Sequence, residues 1–223
     1  MSTQHSRNLQ SQQWRCFIAL ALDEARHVRL QHLQDSMRQV LPENARRALR
    51  LTQAHAFHLT LRFLGDVAVA DIDALQKAVH RSCRDTAPFE LRLTAPGCFP
   101  NTRNPRVVWA GVGGELDALR ALQSRVAQET AAFGEPPEKR PYQPHLTLAR
   151  INTRDRHAAR LIGQSVELVS ADLISAELVA GSPDDSHNSA WQVREVHLIR
   201  SELLPGGSRY TTLGSFPFRT FGS

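Results

Sequence analysis

His58 and Thr60, and again His145 and Thr147, place an imidazole and a hydroxyl in the same four-residue string, His-Leu-Thr-Leu. Each copy lies in a short apolar run that reads as a strand, over residues 57–63 and 144–148. Strand side chains alternate faces, so His and Thr two apart point the same way, ~7 Å from one another, while the leucines turn to a core. Two such strands facing each other would bring two histidines and two threonines to one cleft. With a solution pKa near ~6.5, one imidazole can take a proton from water while the other gives one to a leaving oxygen. The threonine hydroxyls can hydrogen-bond phosphate oxygens. This is general acid–base phosphoryl transfer. It requires no metal and no cofactor, and it suits a strained cyclic phosphodiester with an internal alkoxide leaving group. A single copy would be an ordinary half-exposed strand. Recurrence of all four residues points instead to an internal repeat and a pseudo-symmetric architecture.

The elements that must position these strands are legible from periodicity. Residues 15–22 form a nearly continuous apolar run and read as a buried strand. Asp23 is the expected N-cap of a helix carrying Leu30, Leu33, Met37 and Leu41, ended by Pro42. A charged connection then leads to the first motif strand, closed by Gly65. A second helix is expected from Ile72, Leu75, Val79 and Cys83, followed by strands over 89–95 and 106–112 with a loop over 96–105 between them. Gly113-Gly114 would open a third helix carrying Leu116, Leu119, Val126 and Phe133, with Gly134 as its stop. A charged, proline-rich loop over 135–144 enters the second motif strand. Beyond it we expect a short helix over 156–162, strands over 166–179 and 191–202, a polar loop over 181–189 between those strands, and a last strand over 210–213. The fold class is α+β, with each motif in a different half, two lobes of sheet plus helices, and the ligand between them.

The whole chain bounds the function. It has 223 residues, 41% hydrophobic and 22% charged, enough for one large domain or two small lobes. A net charge of +5 favours a polyanionic partner, and together with a cyclic-phosphate site makes RNA ends the natural ligand. Cys16, Cys83 and Cys98 are odd in number and lack CxxC spacing, which argues for a reducing compartment without disulfides or a zinc module. No apolar stretch approaches a membrane span. Residues 1–13 are polar, lack the apolar core of a signal peptide and read as a disordered tail. The expectation is a cytoplasmic protein without membrane association.

These residues carry a resemblance. The paired HxTx motifs resemble the 2H phosphoesterase superfamily, and within it the RNA 2′,3′-cyclic phosphodiesterases, also described as 2′-5′ RNA ligases. The stretches around Arg15–Ala19, His58–Gly65, Gly97–Pro100, Pro144–Arg150 and Ser201–Gly206, with Tyr210 near the end, are similar to that branch and stand in its order. The similarity covers residues 14–218, expected to form one bilobed domain before a short C-terminal tail over 219–223. It implies a pseudo-two-fold α+β fold with a cleft between lobes, and metal-independent hydrolysis of RNA terminal 2′,3′-cyclic phosphate to a 2′-phosphomonoester. It implies His58 as proton donor and His145 as proton acceptor, which sequence symmetry alone does not assign, and Thr60 and Thr147 as phosphate contacts. Reversible 2′-5′ ligation in the same cleft, and a noncatalytic RNA-end binding module, are the alternatives. RNA 3′ ends or small cyclic nucleotides are the expected partners, and the protein is expected to act as a monomer. The chain departs from the branch over residues 50–57, which lack a Trp and a Pro carried by many relatives.

Other residues carry two readings each. Alternation puts Arg62 on the face of His58 and Thr60, where it would approach the phosphate; otherwise it is a surface Arg at a strand end. The same count puts Arg150 on the leucine side unless its strand bends. Tyr142 would stack on a nucleobase or pack a loop against the sheet. Lys139 and Arg140 read as solvated cations. His55, three residues from His58, falls on the opposite face of a straight strand, which argues against a metal pair. Asp184, Asp185 and His187 read as a polar turn. Ser and Cys have no nucleophile arrangement, and phosphate-cradling glycine loops are absent.

Overall fold

The computed structural model describes residues 12–152, 154–180, 190–205 and 207–219, with only the backbone for 172–180. Two antiparallel sheets organise it. Strand β1 (Gln13–Leu20) is the nearly continuous apolar run, buried from Cys16 onward. The carboxylate of Asp23 accepts from the backbone N–H of Arg26 at 3.0 Å and starts α1 (Glu24–Gln39), whose Leu30, Leu33 and Met37 are buried. The charged connection contains a short helix, α2 (Glu43–Ala48), and a three-residue strand, β2 (Leu49–Leu51). Then follow β3 (Leu59–Ala68), α3 (Ile72–Cys83), β4 (Phe89–Phe99), β5 (Val107–Gly114), α4 (Leu116–Glu129) and β6 (His145–Ile151). The chain continues through α5 (Arg156–Ala180), β7 (Ala190–Val193), β8 (Glu195–Leu204) and β9 (Gly207–Pro217).

The first sheet runs β3-β1-β8-β9 and the second β2-β6-β5-β4-β7. The lobes are therefore not the two halves of the sequence: the C-terminal β8 and β9 complete the sheet begun by β1 and β3. The helices cross as well. α1 follows a strand of the first sheet yet packs against β6 of the second, while α4 follows β5 of the second and packs against β3 of the first. α3 covers β8 and β9, and α5 covers β4. Each sheet thus packs helices against one face. The two motif strands, β3 and β6, approach each other.

Four sequence expectations need correction. Residues 166–179 are helical, not a strand. Ala158, Ile162, Val166 and Val169 are buried at helical spacing, and packing on β4 decides for a helix. β4 runs on through Gly97, where a Cβ would lie 2.5 Å from the Trp109 ring, so the sheet extends into the expected loop. Gly114 ends β5 with φ +95 instead of opening α4, and α4 stops at Glu129, before Phe133. Gln13 belongs to β1, and the Gln12 carbonyl accepts from Val69 N–H at 2.9 Å, so the sheet reaches into the expected tail. The loop expected at 181–189 and residues 1–11 lie outside the described residues. Among the described residues no helix is long and apolar enough to cross a membrane, and Cys16, Cys83 and Cys98 are buried free thiols.

Candidate active site

The two motif histidines are held in the same way. His58 sits one residue before β3, after a 3-10 turn over Ala54–Ala56, and its Nδ1–H donates to the Ala56 carbonyl at 2.8 Å. His145 opens β6, and its Nδ1–H donates to the Gln143 carbonyl at 2.8 Å. A carbonyl can only accept, so each bond fixes the proton on Nδ1 and leaves Nε2 as the unprotonated nitrogen of the neutral ring. In the neutral ring Nε2 is a base; in the protonated ring it is a donor. The surroundings differ. The His58 ring packs against Phe17 at 4.5 Å between centroids and takes the edge of Tyr210 at 5.3 Å. That desolvation pushes its pKa down to about 4; the Ala56 bond opposes the fall and the charge of His145 adds to it. His145 meets only the edge of Phe99, at 5.0 Å, among the aromatic rings described.

Thr60 and Thr147 are half-buried, opposite Ala19 and Trp109 on the neighbouring strands. One residue later both strands bulge. The register passes from Thr60 to Arg62 across Ala19 and Ile18, leaving Leu61 unpaired, and from Thr147 to Ala149 across Trp109 and Val108, leaving Leu148 unpaired. A glutamine from the crossing helix reaches each bulge carbonyl. Gln34 of α1 donates to Leu148 O at 2.7 Å and to Thr52 O at 2.9 Å; Gln123 of α4 donates to Leu61 O at 3.4 Å. The pseudo-symmetry thus extends from the histidines to their supports.

A bulge reverses the alternation beyond it, and this exchanges the expected positions of two arginines. Arg62 is paired with the fully buried Ile18, on the helix side of the sheet, and is itself 5% exposed. Its guanidinium donates to Thr130 Oγ1, to Phe133 O at 3.2 Å and to Glu135 O at 2.8 Å, away from His58. The expectation that it shares the motif face is therefore corrected. Arg150 is exposed and paired with Val107 and Arg50, while its neighbours Ala149 and Ile151 turn inward, so it stands on the face of His145 and Thr147. Tyr142 packs as a loop residue. Its ring lies against the core and its hydroxyl donates to Thr60 O at 2.9 Å, burial keeping that hydroxyl protonated. Lys139, Arg140 and His55 are exposed. Asp184, Asp185 and His187 lie outside the described residues. Among the described residues no three His, Cys, Asp or Glu side chains come together as a metal-binding set.

Sequence reasoning assigned no role to Phe17, Phe99 and Tyr210, the rings around the histidines, or to Gln34 and Gln123. The rings come from other strands, and only the sheet order brings them in. The two glutamines carry no local signal.

The sequence matches the 2′-5′ RNA ligase superfamily over residues 22–203. It is similar to an RNA 2′,3′-cyclic phosphodiesterase of Methanothermobacter thermautotrophicus, with 33% identity over 207 residues, 91% of this chain and 97% of that one. An RNA 2′,3′-cyclic phosphodiesterase of Thermus thermophilus is 31% identical over 198 residues, 80% of this chain and 87% of its own. Among solved structures, TT0787 of Thermus thermophilus superposes with a TM-score of 0.68 at 28% identity, covering 93% of this chain and 100% of that one. Escherichia coli LigT in its apo form gives 0.63 at 23% identity, covering 94% and 100%.

Proposed function

The chain belongs to the 2′-5′ RNA ligase superfamily, and from that premise we propose that it hydrolyses the terminal 2′,3′-cyclic phosphate of RNA to a 2′-phosphomonoester. The observation that carries this reading is the matched anchoring of His58 and His145 through Nδ1, each at 2.8 Å from a carbonyl two residues back, which leaves each Nε2 as the ring nitrogen able to exchange a proton.

In the proposed reaction, Nε2 of His145 takes a proton from water, the water oxygen bonds to phosphorus, and the P–O3′ bond breaks. Nε2–H of His58 supplies the proton that makes the 3′-hydroxyl, and the phosphate stays on O2′. Thr60 and Thr147 donate hydroxyl hydrogen bonds to the non-bridging oxygens, and Arg150 adds charge on the same face. The free protein holds His58 neutral near pH 7. An anionic diester between the rings opposes the desolvation that does so, which is how His58 acquires its proton in the complex. No metal is needed in this scheme. Residues 14–218 act as one catalytic unit and as a monomer, on RNA 3′ ends or small cyclic nucleotides.

Ligation is the reverse of the same step, with a 5′-hydroxyl in place of water, and uses the same two histidines. The deciding experiment incubates an oligoribonucleotide ending in a 2′,3′-cyclic phosphate with the protein and EDTA, resolving 2′- from 3′-phosphate. The expected product is the 2′-phosphate, lost in His58→Ala and His145→Ala. A 3′-phosphate product, or turnover that survives either substitution, overturns the mechanism. Binding without turnover makes the protein an RNA-end binding module.

A further inference from the structure

Arg50 of β2 lies directly opposite Arg150 of β6, and Val107 of β5 completes the row. The flanking pairs, Leu49 with Ile151 and Leu51 with Ala149, turn toward the core, so both guanidinium stems stand on the face that carries His145 and Thr147. Both arginines are exposed, and among the described residues neither enters an ion pair. Like charges directly opposite in an antiparallel pair, ~5 Å apart at Cβ, oppose the pairing of their strands. A bound anion reverses the sign of that interaction. Arg50 lies one strand, ~5 Å, further out along the sheet than Arg150, which makes it the outer of the two guanidinium groups on that face.

We propose that Arg50 holds a second phosphate, that of the phosphodiester next upstream of the reacting end, so that the cleft binds a polynucleotide end more tightly than a mononucleotide. The guanidinium fork suits a phosphodiester's two free oxygens. The inference rests on the reading above that the terminal phosphate lies between His58 and His145.

The test compares binding of a short oligoribonucleotide ending in a 2′-phosphate with binding of adenosine 2′-monophosphate, across a salt series, for the wild type, Arg50→Gln and Arg50→Lys. Arg50→Gln is expected to weaken the oligonucleotide about tenfold at low salt and to reduce the slope of log K against log salt by ~0.7, the release of one counterion from a single strand. Its mononucleotide affinity stays unchanged, its thermal midpoint does not fall, and Arg50→Lys retains most of the salt slope. Unchanged oligonucleotide affinity in Arg50→Gln overturns the proposal, and so does an equal loss for both ligands. Turnover of a cyclic-ended oligonucleotide is scored separately. Its absence refutes the hydrolytic reading, while the oligonucleotide-to-mononucleotide difference still decides the role of Arg50.

Discussion

The hydroxyl of Tyr142, three residues before the second motif histidine, donates a hydrogen bond to the backbone carbonyl of Thr60 in the first motif, at 2.9 Å. One motif strand is thereby tied to the approach of the other. Tyr142→Phe keeps the ring and removes only this tie. We expect a loss of about 1 kcal/mol in stability, read by chemical denaturation, and a several-fold fall in kcat/KM with an unchanged pH profile. Retained stability together with a shifted pH profile would place Tyr142 in the proton transfers instead.

Each histidine substitution, His58→Ala or His145→Ala, is expected to lower kcat by roughly 10² to 10⁴. The roles separate with a cyclic substrate whose 3′ bridging atom is sulfur, a leaving group that needs no proton. His58→Ala should recover most of its activity on that substrate and His145→Ala should not. The opposite pattern would exchange acid and base.

In the proposed mechanism His58 and His145 share one proton, so kcat/KM should be bell-shaped, with macroscopic values belonging to the pair. Burial holds His58 at about 4 in the free protein, so the doubly protonated, inactive form is reached only well below the usual imidazole range. Tyr210→Ala exposes the ring edge and should move the acid limb upward; an unmoved limb would remove Tyr210 from the control of His58.

The same shift couples folding to pH. The folded value lies below the unfolded ~6.5, so between about 4 and ~6.5 the unfolded chain binds a proton that the native chain does not. Stability therefore rises with pH through that window, by about 3 kcal/mol in all, and the His58 contribution is flat above it. Denaturant titrations from pH 4 to 7 should show the slope in the wild type and lose it in His58→Gln.

The bulges predict for Arg62 and Arg150 the reverse of what strict alternation assigns them. Arg62→Met leaves the Phe133 and Glu135 carbonyls without their donor and should cost about 2–4 kcal/mol. Arg150→Met, at an exposed position, should leave stability within about 0.5 kcal/mol and reduce kcat/KM about tenfold or more. Equal stability losses in both variants would contradict the assignment of faces.

Much of the site was legible because its signal is local. His58-Leu-Thr-Leu61 and His145-Leu-Thr-Leu148 declare alternation within four residues, and Asp23 with Leu30, Leu33 and Met37 declares a capped amphipathic helix. The failures share a cause. Residues 166–169 have side chains compatible with strand or helix, and only docking on β4 chooses. Arg62 and Arg150 follow alternation until Leu61 and Leu148 drop out of register, and nothing in those leucines announces a bulge.

The sequence by itself determined that there are two His-x-Thr sets and that both ride on half-buried strands, because residue type and period-two patterning are properties of a few adjacent residues. The tertiary structure alone decided that the sets belong to interleaved lobes, with α1 and α4 crossing to the opposite sheets and β8 and β9 closing the first. It also decided that Phe17 and Tyr210 desolvate His58, and which arginine stands on the face of the motif histidine. These depend on contacts between segments far apart in the chain, and a register shift of one residue turns a side chain from the solvent to the core.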